Sequence, residues 1–120
     1  MKRDFDLIRR IMIDVQNTPA GSICENIAYP EYDQATVYEH EKLLIDEGFV
    51  DGQVVEEFGG IGAAVITGLT WKGHDFLDAA KDDTIWNKVK QTVLTSTVSI
   101  TFSLLLELLK AEARKKLGLP

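Results

Sequence analysis

Apolar side chains recur every three or four residues at Phe5, Ile8, Met12 and Val15, joined by Leu7 and Ile11, while Arg9, Arg10 and Asp14 fall on the other side. This spacing predicts an amphipathic first helix, with Asp4 as its N-cap. The helix should stop at NTPAG, residues 17–21, where Asn and Gly take turn geometry and Pro lacks a backbone donor. SICENIAY, residues 22–29, alternates weakly and predicts a short strand. After Pro30, Asp33 is placed to cap a second helix through ATVYEHEKLLIDE, ending at Gly48. Its inner stripe contains Val37 and Leu44, joined by His40 or Ile45.

Two β-prone runs follow, FVDGQVVEEF (49–58) and AAVITGL (63–69), separated by a glycine cluster; they predict a hairpin with a flexible tip. Thr70 can cap a third helix carrying Trp71, Phe76, Leu77 and Ala80, in which Gly73 lets another backbone pack close. Asp83 restarts the chain as a helix with Ile85, Trp86, Val89 and Val93 inward. From Thr97 to Leu117, VSITF alternates like a strand, but the Leu-rich run after it and the closing Arg114, Lys115 and Lys116 favour a helix throughout. The predicted class is α+β: a core of helix, strand, helix, hairpin and helix over residues 1–82, then a C-terminal helical extension over 83–120. That extension either packs on the core or serves self-association.

VYEHEKLLIDEGFV, residues 37–50, resembles the recognition-helix segment of winged-helix regulators, and with the hairpin and LTWKGHDFL the similarity covers residues 34–80. Glu41 stands where such domains usually place an apolar core residue. Over almost the whole chain, MKRDFDLIRR, HEKLLIDEGFVDG, LTWKGHDFLDAAKDDTIWNKVK and KKLGL are together similar to a family of small uncharacterised proteins found widely in bacteriophages and prophages. The resemblances imply a winged-helix-like core in a bacterial or phage cytoplasmic setting.

Composition is that of an ordinary folded protein, 45% hydrophobic and 27% charged. One cysteine, Cys24, fits a reducing compartment, and charges at the amino terminus stand where a signal peptide needs its apolar segment. The uncharged run QTVLTSTVSITFSLLL spans 16 residues, short of the ~20 that cross a bilayer, and is rich in Ser and Thr. No membrane association is expected.

Charge distribution bears on partners. Residues 31–57 hold nine acids and one base, so a helix from this stretch laid in a DNA groove would be repelled by phosphate. Glu39, Glu41, Asp46, Glu47, Asp51, Glu56 and Glu57 form the expected protein-binding acidic face. Residues 71–120 carry eight bases and six acids; for the alternative reading, a DNA-binding regulator, the nucleic-acid candidates are Lys88, Lys90, Lys110, Arg114, Lys115 and Lys116. The apolar line along the tail, with Phe102, Leu105 and Leu109, is the expected self-association surface of a homodimer.

Catalytic patterns are scarce. Cys24 has no identifiable activating base, and His40 and His74 lack a third ligand at helical spacing, so a partly buried thiol and two structural histidines are expected. Asp82 and Asp83 read as a helix cap rather than an acid–base pair. FGGIGAA lacks the Lys-Ser/Thr of a phosphate loop and precedes strand formers, so it reads as a hairpin tip. Trp71 and Trp86 fall within helical apolar stripes and are expected in the core. These readings combine into a non-enzymatic adaptor or regulator, with no cofactor and no metal, that acts through protein–protein contacts in the cytoplasm.

Overall fold

Short polar side chains start the helices. The structure, a computed structural model describing residues 1–120, has Asp4 Oδ1 accepting the Leu7 N–H at 3.1 Å, and helix α1 runs Phe5–Asn17. Asp33 caps α2 (Gln34–Asp46) in the same way through Thr36 N–H at 2.7 Å. Thr70 Oγ1 accepts from Gly73 N–H at 3.0 Å where α3 (Trp71–Ala80) begins. Asp82 and Thr101 cap α4 (Asp83–Thr95) and α5 (Phe102–Lys116). Each cap satisfies a backbone donor that the first helical turn leaves without an internal acceptor.

The class is α+β, with five helices and one three-stranded antiparallel sheet in the order β1-β3-β2. Strand β1 is only Cys24–Glu25, paired with Ile66 and Val65 of β3. The strand predicted over 22–29 shrinks to this bridge because Asn26 turns into the left-handed region (φ 46°). There its backbone N–H donates to Ala64 O at 2.9 Å and its side-chain Oδ1 accepts from Ala64 N–H at 3.0 Å. Strands β2 (Val50–Glu57) and β3 (Gly60–Leu69) form the hairpin, with Val50 opposite Leu69 and Glu57 opposite Gly60.

The chain divides into two compact units, Met1–His74 and Asp75–Pro120, with the division inside α3. In the first unit, α1 and α2 pack on each other and on the sheet. Leu7, Ile8, Ile11, Met12 and Val15 of α1, Val37 and Leu44 of α2, and Ala64 and Ile66 of β3 are all buried, as their periodicities require. In the second unit, α4 and α5 pack together, and Phe76, Leu77, Ala80, Ile85, Trp86, Val89, Leu105 and Leu109 are buried.

Two expectations fail here. The tail is not helical from Thr97: residues 96–101 are irregular and α5 starts at Phe102. Val98 and Ile100 are β-branched, and Thr101, in extended geometry, gives its side chain to Leu104 N–H, so the helix starts where a cap exists. The uncharged run from Gln91 to Leu106 is thereby cut in two, and no helix is long and apolar enough to cross a membrane. Trp71, expected in the core, is instead 85% exposed, because its position on the first turn of α3 lies off the face that buries Gly73, Phe76 and Leu77.

Candidate functional site

The end of α2 fixes the surroundings of Trp71. Glu47 ends the helix, and Gly48 follows in the left-handed region (φ 77°), which a residue with a Cβ adopts only at a cost. Gly48 N–H donates to Ile45 O at 3.1 Å and Phe49 N–H to Leu44 O at 2.9 Å, the paired bonds of a Schellman ending. The chain then enters β2 and returns along β3 to Thr70, whose hydroxyl donates to Gly48 O at 2.5 Å and whose N–H donates to Phe49 O at 3.2 Å. Lys72 places its Nζ 3.1 Å from Glu47 O and 4.5 Å from the centre of the Phe49 ring. Gly73 is required at its position because a Cβ there would lie 1.9 Å from Phe49 O.

In the run LTWKG, Thr70 and Lys72 bond back to the end of α2, Leu69 pairs with Val50 at the hairpin base and Gly73 allows the close approach of Phe49 O, while Trp71 is left in solvent. Phe58, at the hairpin turn, is fully exposed, and Val55 on β2 is 53% exposed. Glu39, Asp46 and Glu47 of α2 and Asp51, Glu56 and Glu57 of β2 are exposed, so six of the seven carboxylates expected on the acidic face lie at the surface. Glu56 is paired with Lys42 at 3.1 Å.

Glu41 does not belong to that face. It is wholly buried, and neither carboxylate oxygen has a hydrogen-bond partner. Val37, His40, Glu41 and Leu44 share the inward side of α2 at spacings of three and four, so a reading based on charge alone misplaces this residue. Burial pushes its carboxyl up to about 7. His40 beside it is also buried but fully satisfied: Nδ1–H donates to Thr36 O at 2.8 Å, and Nε2 accepts from Asp4 N–H at 2.9 Å. The structural role expected for His40 holds.

A belt of polar links joins α1 to the 29–33 segment. Tyr29 OH donates to Asp14 Oδ2 at 2.5 Å, Tyr32 OH donates to Asp4 Oδ2 at 2.8 Å, Arg10 pairs with Glu31, and the Arg10 guanidinium lies 4.3 Å over the Tyr29 ring. Burial, then the bond to Asp14, raises the Tyr29 phenol well above the usual tyrosine range. Burial and the bond to Asp4 push Tyr32 up to about 12.

A cleft of about 380 Å³ in the first unit is lined in part by Thr18, Ser22, Cys24, Thr67, Leu69 and His74. Thr18 OH donates to Asp14 O at 2.9 Å, so at 2.9 Å between Cys24 Sγ and Thr18 Oγ1 the thiol must be the donor. Cys24 is half-buried with its proton engaged, the arrangement of a resting thiol. His74, expected as a structural histidine, is instead exposed at the wall of this cleft. No group of three His, Cys, Asp or Glu side chains is placed to hold a metal ion. Asp82 is the cap of α4, as read from the sequence.

The basic candidates are largely engaged within the second unit. Lys88 pairs with Glu112 at 3.0 Å, Lys115 with the same carboxylate at 3.4 Å, and Lys116 with Asp82. Lys110 and Arg114 are exposed, Arg114 donating to Pro120 O at 3.3 Å, and Lys90 is half-buried. The residues expected to mediate self-association are also turned inward: Leu105 and Leu109 are buried, and the Phe102 ring lies 4.6 Å from Phe76, so this line forms the core of the second unit. The large apolar side chain of α5 left outward is Leu104, at 42% exposure.

Comparison with known proteins gives a family and no activity. An uncharacterized protein of Haemophilus influenzae is 31% identical over 103 residues, covering 84% of this chain and 86% of that one. No solved structure matches. The family described as "Hypothetical protein (DUF2513)" matches over residues 2–99, and the chain belongs to it.

Proposed function

We propose that this protein is a non-enzymatic adaptor or regulator, built on a winged-helix-like core, that binds another protein through the surface of α2, β2 and the start of α3. Its setting on this reading is the cytoplasm of a bacterium or of a phage-infected cell. One observation carries the proposal: Trp71, 85% exposed, flanked by Thr70 and Lys72 that bond back to residues 47–49, in a unit whose α2 and β2 expose six carboxylates. An exposed indole is the kind of side chain that dominates binding energy at protein interfaces. The carboxylates favour a basic partner and speed its encounter. Nucleic acid fits poorly, because this surface is acidic and Lys88, Lys115 and Lys116 are already paired.

The test is affinity capture from a bacterial lysate with three baits: the native chain, Trp71→Ala, and a combined Asp46→Asn, Glu47→Gln, Asp51→Asn, Glu57→Gln variant. Specific partners should be retained by the native bait, be lost from both variants, and elute as salt is raised. Equal capture by all three baits would remove this surface from consideration. A titration with random duplex DNA at low ionic strength should show no binding; saturable binding there revives the transcriptional-regulator alternative.

A further inference from the structure

The core of the first unit holds an acid that nothing in it neutralises. Glu41 is 0% exposed, and both carboxylate oxygens lack a partner. An ionised carboxylate in that position has lost its hydration without replacement, which disfavours the charged form. Several titratable groups on the elements around α2 are committed to other partners or face solvent. On α1, Asp4 and Asp14 accept from Tyr32 and Tyr29, and Arg10 pairs with Glu31. In the 29–33 segment, Tyr29 is close enough for the Glu41 charge to bear on its phenol, but its proton goes to Asp14. On α2 itself, both His40 nitrogens are bonded, Lys42 pairs with Glu56, and Glu39 is exposed. The acids of β2, Asp51, Glu56 and Glu57, are exposed, and β3 has no titratable side chain.

We propose that Glu41 is a proton-operated latch: protonated, it lets α1 and the Tyr29 segment close over α2, and its ionisation loosens that seam. The seam is the natural place to yield because the hydrogen bond from Asp4 N–H to His40 Nε2 crosses it from the start of α1, while the bonds of Tyr32 to Asp4 and of Tyr29 to Asp14 tie the Tyr29 segment to α1 so that the two can move together; the hairpin, by contrast, is held by a backbone ladder. The sign follows from linkage. The folded carboxyl sits at about 7 against an ordinary 4.5, so the folded state binds the proton more tightly than the unfolded one. Stability from this group is therefore full below the unfolded value and is lost as pH rises through about 7.

Denaturant unfolding of the full chain across pH 5 to 8, native against Glu41→Gln, tests the latch, with amide hydrogen exchange reporting on α1 and α2. The unfolding constant of the native chain should rise on the order of 50- to 100-fold relative to the variant over that range. Exchange in α1 should quicken along with it in the native chain only. Parallel stability curves, or exchange that quickens equally in both proteins, would overturn the proposal. Should Glu41→Gln fail to fold, carboxyl carbon NMR of the native chain decides: a Glu41 midpoint near neutrality supports the latch, and one in the ordinary carboxylate range refutes it.

Discussion

Single side chains divide here by whether their surroundings answer their polarity. Asp4 does three things at once: it caps α1, accepts from Tyr32 and gives its N–H to His40. Its capping role is legible in sequence because Asp before an apolar repeat has a local physical meaning. Its links to His40 and Tyr32 are not, since they close over 36 and 28 positions of chain. Glu41 is the reverse case: local charge assigns it to the surface, and only the packing of α2 turns it inward. Gly73 is read correctly as a site of close approach, and its partner proves to be Phe49 O. Gly73→Ala should destabilise the first unit by about 3 kcal/mol in thermal or chemical unfolding, since a backbone carbonyl cannot step aside as a flexible side chain can.

Among the elements, the helices were the most readable because caps and apolar periods are short-range signals. α1, α2 and α4 begin at the Asp caps that the sequence offers, and α2 ends at Gly48. Asp82→Ala should lower the unfolding midpoint measurably through the lost cap of α4, since Ile85 N–H then loses its acceptor. The Lys116 pairing and the backbone bonds lower the Asp82 carboxyl, so its contribution is present above the unfolded value and fades as pH falls through the folded one. Strand β1 and the start of α5 were misjudged for one reason: alternation in SICENIAY and apolar continuity in VSITF are weak patterns over few residues. A left-handed Asn26 and a Thr101 cap were enough to redraw both boundaries.

For the molecule as a whole, the tail shows how far apolar patterning reaches. A line of Phe102, Leu105 and Leu109 announces a buried face without saying whether a second copy or the same chain buries it. The fold answers with the same chain. Leu105→Ala should therefore cost about 3 kcal/mol of stability, while light scattering gives the same mass for variant and native protein. A fall in mass with stability unchanged would return Leu105 to an interface. Charge works at this scale too: a net charge of −6, concentrated between residues 31 and 57, was visible at once, but which acids face solvent was not. By itself the sequence determined the α+β class, the helix caps, the hairpin and the acidic middle, because each rests on neighbours within a few residues or on simple summation. Only the tertiary structure decided that Trp71 is outside, and only it settled Glu41, whose helical spacing with Val37 and Leu44 pointed inward while its charge pointed out, because burial depends on which surfaces of distant segments meet.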